Sequence, residues 1–510
     1  MMSMIDSSHL LLQAITIPIA FSPIIYAAGR AMGKNAGWLA FLVLMYVTGL
    51  LAHVTLSLPT MPEGALTASY PWAPYIGSLT LVADGLSAPI ALTIALLCAL
   101  IAVYSIGYME HERDLDAYYA LYLIYAAGMI GTVLATNLAA FFLFFELMLI
   151  PSWALIGRWG TGPKERIAFK YFMFTEAGAL SLLGGIVAAY FLSGTFDVME
   201  MAPRLVYHDA AVLTAILVAM LLGLLVKMAV FPLHTWLPDA HAEAPTPISA
   251  LLSPAMIGIG GYAAIRIAYT AFPVVMSNWL FVTVLAALAV ITMIYGGVMA
   301  LAQDDIKRLL AYSSISQMGY LLFGVASLSV LGLTGAVLFY ISHGLCKAVL
   351  FMMSGVLMHT FHTRSISKFG GLGPRMPFTA TASLIAFLGL AGTPPMVGFW
   401  GEVFIFAGSM HTAFIHLVSV DVARALVTAV AIVGSALTAG YGLWTIRRVF
   451  FGQPNEETRM AREGSAVMVA PIMILAALAV VLGVYPTVVA EPSSMLASKL
   501  MERLAALAGG

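Results

Sequence analysis

The stretch LLGLLVKMAVFPLHTWLPDAHAEAPTPISALL, residues 221–252, decides how the chain folds. It begins inside an apolar run long enough to cross a bilayer, which takes about 20 mostly apolar residues. Lys227 sits within that run, where a charged side chain costs about 2.5–3.5 kcal/mol at the helix centre. Phe231-Pro232 follows one turn later; proline removes a backbone donor and frees carbonyls, and the negative end of a helix favours a cation. Pro232, Pro238 and Pro245 prevent a continuous helix, and irregular backbone at membrane depth is tolerated only where protein buries it or it lines a wet cavity. The stretch reads as a broken membrane helix followed by a polar re-entrant turn. His234, Asp239, His241 and Glu243 lack the spacing that aligns metal ligands, so proton entry or exit suits them better and no metal site is expected there.

Working outward, 61% of the 510 residues are hydrophobic and 9% charged, against about 25% charged in a soluble domain. The net charge of −1, from 23 basic and 24 acidic residues, leaves no electrostatic footprint for nucleic acid. Two cysteines, Cys98 and Cys346, stand far apart in apolar runs, which excludes iron–sulfur clusters and disulfide scaffolds. No cofactor is expected, and nicotinamide, flavin and other redox chemistry belongs on partner polypeptides. No positively charged leader precedes the first apolar run near Leu10, so that run is expected to remain a spanning helix.

A 20-residue window gives about fourteen candidate spans, near 10–28, 37–57, 87–108, 117–136, 138–157, 170–194, 211–231, 246–269, 279–301, 309–328, 332–358, 377–410, 422–446 and 466–487. The seventh and twelfth are broken, the twelfth at Thr393-Pro394-Pro395. Loops after odd-numbered spans carry most lysines and arginines, including Arg30, Lys34, Arg158, Lys164, Lys307 and Arg448; the other side has Arg204, Arg266, Arg424, Lys499 and Arg503. Cytoplasmic loops hold the basic excess, which puts both termini on the non-cytoplasmic side of the cell inner (cytoplasmic) membrane. The fold class is all-α polytopic, with 1–510 as a single membrane domain. The connections near 58–85 and 195–210 are short, and 494–508 places Met495, Leu500, Leu504 and Leu507 on one face, as an interfacial or partner-binding helix would.

Besides Lys227, ionisable residues fall inside apolar segments at Glu146 (FFLFFELMLIP), at His343 with Lys347 (ISHGLCKAVLF) and at Glu402 (PPMVGFWGEVF). His343 and Lys347 share a helix face, being four residues apart. Glu402 follows a helix break, near the positive start of a half-helix that favours an anion. Acids, lysines and histidines strung through one bundle are what a proton relay requires; a structural Glu146–Lys227 ion pair and a satisfied buried His343 are the alternatives. Broken helices at matched positions in two halves point to a transport site between inverted repeats.

At these residues a family likeness emerges. DGLSAP (84–89), FFELMLIP (144–151), VFPLHTWLPDAHAEAPTPISALL (230–252), QDDIKRLLAYSSISQMGY (303–320), SHGLCKAVLF (342–351), HTRSISKFGGLGPRMP (362–377) and TPPMVGFWGE (393–402) resemble the antiporter-like subunits of complex I and their cation-antiporter relatives, subunit M (chain 4) above all. The resemblance implies N-terminal helices 1–3 (1–109), inverted five-helix repeats of helices 4–8 (117–269) and 9–13 (279–446), and a last helix with its tail (466–510). It also implies proton transfer by Glu146, Lys227, His343, Lys347, Glu402, His234 and His241, with antiporter-like paralogues as membrane neighbours in an NADH–quinone or reduced-deazaflavin dehydrogenase. Three residues depart from the pattern: Gly258 stands where bacterial subunit M has a helix-8 lysine, Lys347 is extra, and Glu176 is an additional acid. The proton carrier of helix 8 is therefore expected to have moved to Lys347. A subunit of a multi-subunit sodium/proton antiporter, and a scaffold whose charges only hold the fold, are the competing readings.

Overall fold

The computed structural model describes residues 8–414 and 421–508. In chain order the elements are α1 Ser8–Met32, α2 Ala36–Ser57, β1 Leu66–Ala73, β2 Gly77–Ala83, α3 Ser87–Tyr108, α4 Leu115–Leu134, α5 Leu138–Trp159, α6 Lys164–Ser193, α7 Val198–Leu205, α8 Ala210–Lys227, α9 Leu237–Glu243, α10 Thr246–Leu251, α11 Ile259–Ala271, α12 Pro273–Met276, α13 Trp279–Leu301, α14 Ile306–Val325, α15 Val330–Phe361, α16 Pro377–Leu390, α17 Val397–Phe414, α18 Val422–Phe450, α19 Glu456–Arg459, α20 Ala466–Val484 and α21 Thr487–Ala508. Among the described residues, 11 helical segments are long and apolar enough to cross a membrane, the first of them covering α1 and α2 together.

Side-chain caps fix where many helices begin. Asn137, Asp209, Asp305, Ser329 and Asp421 each accept from backbone N–H groups at the starts of α5, α8, α14, α15 and α18, a contribution of about 1 kcal/mol per cap. The 32-residue α15 is the buried axis, with every residue from Gly332 to Leu357 inside the protein. It packs against α3, α10, α14, α16, α17, α20 and α21. Outward faces carry Leu143, Phe169, Phe191 and Val433, as helices bathed in lipid do.

Small residues set the closest helix pairs. Gly178 of α6 lies against Val226, and Gly223 of α8 lies against the Gly178 carbonyl. Gly335 of α15 and Gly401 of α17 meet in the same way, each against the other helix's backbone. Side chains absent from such seams let backbones approach, the usual basis of helix association where lipid gives no hydrophobic drive.

Five expectations need correction. The fold is not wholly helical: β1 and β2 form an antiparallel hairpin in the 58–85 connection, with Leu66 opposite Ala83. Leu66 and Ala68 alternate inward, a two-residue period too short to register in a 20-residue window. The 195–210 connection contains α7, capped by Asp197. The eighth span is also interrupted, by a π-helical turn over Leu252–Met256 that contains Pro254, whose missing N–H breaks the helical ladder. Arg266, Arg424 and Lys307, read as loop cations, are buried. In α21 the inward face is Ser493, Ala497 and Leu500, while Met495 points out.

Arg266 is answered by Asp84 of the DGLSAP stretch at 2.7 Å, with both side chains about 5% exposed or less. The pair joins the start of α3 to α11. Asp84 also accepts from the Leu86 and Ser87 backbone N–H groups. Removing one partner of a buried pair costs about 3–5 kcal/mol, so Asp84→Ala should lower the thermal unfolding temperature of the detergent-solubilised chain markedly. Asp84→Leu combined with Arg266→Met should be milder, and equal losses would contradict this account of the pair.

Asp304 ties two connectors together, accepting from Ser365, Ser367 and Arg448. Burial pushes its carboxyl up, but the hydrogen bonds from Ser365, Arg448 and Ser367 outweigh burial and hold it below the usual carboxylate range. A depressed folded-state value makes the tie fully effective above the ordinary carboxylate pKa of about 3.9, with loss as pH falls below it. Protection of the Ser367 amide from hydrogen exchange should therefore drop on acidification below about pH 4, and Asp304→Asn should abolish that pH dependence.

Candidate functional site

α8 stops at Lys227 because the next residues cannot extend it: Ala229 takes φ 54° and Pro232 offers no N–H. The Val226 carbonyl accepts from the Ala229 N–H and from Trp236 Nε1, both at 3.0 Å. Lys227 is left fully buried, 4.8 Å from the centre of the Phe145 ring, and its Nζ takes no hydrogen bond among the described residues. Glu146 of α5 and Glu176 of α6 are the acids close enough to act on it electrostatically, although no ion pair within 4.0 Å forms there. The expected Glu146–Lys227 pair is thus a loose triad, and Glu176, whose role the sequence left open, is its third member. The Gly178–Val226 seam is what brings Glu176 to this point.

The re-entrant turn divides its polar residues between two destinations. His234 Nε2 meets the Tyr295 hydroxyl at 3.0 Å, with Phe231 stacked on its ring. Asp239 pairs with Lys170 and Arg308 at 2.8 and 3.0 Å, and Glu243 with Arg364 at 3.3 Å. His241 turns the other way into the bundle, where its ring stacks on Phe351 and neither nitrogen has a protein partner among the described residues. His234 and His241 therefore do not form one cluster.

His241 lies within electrostatic reach of Lys307 and Lys347, and His343 of Lys347 and His241. Lys347 donates to the Leu310 carbonyl at 3.1 Å and to Ser313 Oγ. Lys307 donates to the Ala244 carbonyl at 2.5 Å. Both His343 nitrogens also lack protein partners among the described residues. Nearby, Ser314 of α14 meets Ser253 of the π-turn at 2.7 Å.

Glu402 lies on α17 just past the break at Gly392–Pro395. Gly392 has φ 63°, and a Cβ there would fall 2.5 Å from the Glu402 carboxylate, so the acid occupies the space a side chain would fill. Tyr320 and Tyr441 lie within electrostatic reach of Glu402. The Tyr320 hydroxyl meets Thr438 Oγ1 at 3.1 Å, and the Tyr441 hydroxyl faces Thr438, Gln317 and Ser313. Ser313 is also the Lys347 partner, so polar groups of α14 and α18 lie between Lys347 and Glu402, although neither the Tyr441 hydroxyl nor Glu402 Oε1 has a hydrogen-bond partner among the described residues. Sequence reasoning missed Ser313, Gln317, Tyr320, Thr438 and Tyr441. The first three lie in the KRLLAYSSISQMGY string, used there only as a family signature, and their seven-residue reach along one helix was the available signal.

With this geometry established, the family model described as "NADH:quinone oxidoreductase/Mrp antiporter, TM" matches residues 135–428. The chain belongs to this family. A second model, described as "NADH-Ubiquinone oxidoreductase (complex I), chain 5 N-terminus", matches residues 72–119. NADH-quinone oxidoreductase subunit M of Rhodobacter capsulatus is 33% identical over 504 residues, covering 94% of each chain. F(420)H(2) dehydrogenase subunit M of Methanosarcina mazei is 29% identical over 486 residues, covering 94% of this chain and 95% of the relative. A chain of respiratory complex I from Thermus thermophilus superposes with a TM-score of 0.85 at 26% identity, over 98% of this chain and 100% of that one. A chain of the Dietzia Mrp complex shares the fold, with a TM-score of 0.84 at 24% identity over 99% of this chain and 100% of that one. The protein is an antiporter-like membrane subunit of the complex-I type.

Gly258 has a structural explanation within this family. Tyr340 of α15 fills its space, so that a Cβ on Gly258 would come 2.4 Å from the ring, while the Tyr340 hydroxyl donates to the Ala255 carbonyl at 2.7 Å. Overpacking a tight core costs about 1–3 kcal/mol. Gly258→Lys should lower thermal stability by that order, and adding Tyr340→Ala should restore part of the loss; a single variant as stable as the parent would show that the ring yields freely.

Proposed function

We propose that this chain is the proton-translocating, non-redox membrane subunit of a complex-I-type dehydrogenase, a translocase in which electron transfer on other subunits drives protons through it. One observation carries the proposal: Glu146, Lys227, His241, His343 and Glu402 each hold a buried polar atom with no protein partner among the described residues. Buried polar atoms in a finished fold are almost always satisfied, and in a membrane bundle those that are not mark proton or ion pathways. The scaffold reading does not account for five ionisable side chains left with unpartnered buried atoms.

The path runs in two arms. Glu146, Glu176 and Lys227 form one. The other enters past Glu243 and Lys307 to His241, continues through His343 and Lys347, and leaves along Ser313, Gln317 and Tyr441 to Glu402. Tyr171 stands between them, bonded to Ser152 at 2.8 Å and lying 3.5 Å from Met256 Sδ at the π-turn. Lys347 is the central carrier, in keeping with Gly258 and Tyr340 excluding a lysine from the eighth span. His234, at Tyr295, serves the entry side.

The topology proposed is about fourteen crossings, with α1 and α2 counted separately and α14 and the α16–α17 pair added to the longer helices. Residues 1–109 form the N-terminal helices, 117–269 and 279–446 the inverted repeats, and 466–510 the last helix and tail. The breaks at 228–236 and 391–396, one in each half, support that division. Both termini lie on the non-cytoplasmic side of the cell inner membrane. Antiporter-like paralogues flank the chain, which binds neither nicotinamide nor flavin. Its structural neighbours come from multi-subunit assemblies, among them complex I and a membrane-bound sulfane sulfur reductase.

In the assembled complex reconstituted into vesicles, Lys227→Ala and Lys347→Ala should each cut proton translocation at least about ten-fold, equivalent to about 1.4 kcal/mol, with subunit composition intact. Glu176→Gln should have a smaller effect than Glu146→Gln. Undiminished pumping by the Lys347 variant would contradict its role. Purification of the chain without any redox subunit would favour the sodium/proton antiporter reading instead.

A further inference from the structure

Glu110 and His111 follow the end of α3, and His359 lies in the last turn of α15. Their ligand atoms all lie within 4.8 Å of one another. Glu110 directs Oε2 to Lys34 at 3.0 Å and Oε1 towards His111 Nε2 at 3.6 Å. The His111 and His359 rings are nearly parallel, 11° apart with centroids 6.5 Å apart. His111 is exposed, and His359 borders an open surface cleft shared with His362, Glu457 and Glu463.

We propose that Glu110, His111 and His359 form a binding site for a divalent transition-metal ion of the zinc type. Two imidazoles and a carboxylate are a familiar zinc donor set that leaves a fourth position to water, with bonds of about 2.0–2.2 Å. Such bonds place ligand atoms about 3.3–3.6 Å apart in a tetrahedron, so the present separations close by modest rotation of side chains that solvent leaves free to turn. Intermediate-softness nitrogen and oxygen donors select zinc, copper or nickel over calcium or magnesium. Among the described residues Lys34 is the lysine or arginine paired with this carboxylate, and it is half exposed, so a metal ion displaces it without stranding a buried charge.

The ligands come from two elements far apart in sequence. A bound ion therefore ties the end of α15, the helix that carries His343 and Lys347, to the end of α3. Nothing in the proton path is part of the site.

The full-length chain, purified in detergent and stripped with chelator, is titrated with Zn2+ against a competing fluorescent indicator. The parent chain should bind one equivalent at least ten-fold more tightly than His111→Ala or His359→Ala, and His53→Ala, a control on another exposed histidine, should match the parent. Cu2+ loaded at one equivalent should show two imidazole nitrogens in its electron paramagnetic resonance spectrum, falling to one in either single variant. Variants that keep the parent's affinity and spectrum would overturn the site, and so would a parent chain that binds no metal.

Discussion

The cost of holding a charge inside an apolar helical bundle governs this structure. Where the chain buries a cation for architecture, it supplies a partner at contact distance: Arg266 has Asp84 at 2.7 Å, and Lys307 has the Ala244 carbonyl. Where it buries Lys227 it does not, leaving the ammonium beside the Phe145 ring with two acids near but unbound. The contrast sets Lys227 apart from Arg266, Lys307 and Lys347, each of which has a hydrogen-bond partner at contact distance. Breaking a buried contact pair is expensive, whereas a loose cluster can change its proton count without tearing the bundle.

The backbone provides these positions by interrupting its own helices. At 228–236 and 391–396 the α-helical ladder of hydrogen bonds stops, at the π-turn of 252–256 it shifts by one residue, and ionisable or polar side chains collect at each place. Lys227 lies at a helix C-terminus and Glu402 near a helix N-terminus, so the helix dipoles suit both charges. Glycine seams then bring the interrupted helices close. Gly178 and Gly223 let α6 deliver Glu176 to Lys227, and Gly335 and Gly401 press α17 on α15. Opposite the π-turn, the Tyr340 ring fills the volume that a side chain at Gly258 would need.

Much of this was legible in the sequence because hydropathy and charge conflict openly in a membrane chain. Spans at 87–108 and 279–301 coincide with the helices observed, and the breaks at Pro232 and Pro394-Pro395 fall where the prolines require. The hairpin at 66–83 was not legible to a reading tuned to 20-residue windows, since its alternation is short and its residues mixed. Arg266 and Lys307 were misread for a related reason: they sit near span ends, and only tertiary contacts show them turned inward. The hydroxyl and amide groups between Lys347 and Glu402 carry no charge, so nothing in composition flags Ser313, Gln317 or Tyr441; their placement is visible only once side chains of α14 and α18 are seen to meet, as Tyr320 and Thr438 do.

The central claim is that protons occupy and leave the buried groups themselves, and infrared difference spectroscopy of the assembled complex during turnover tests it most directly. The account predicts a carboxylic-acid carbonyl band that appears or disappears with turnover, shifts in heavy water and is absent from the Glu402→Gln complex. A turnover spectrum without any such carboxyl band, from a complex that still pumps, would contradict it.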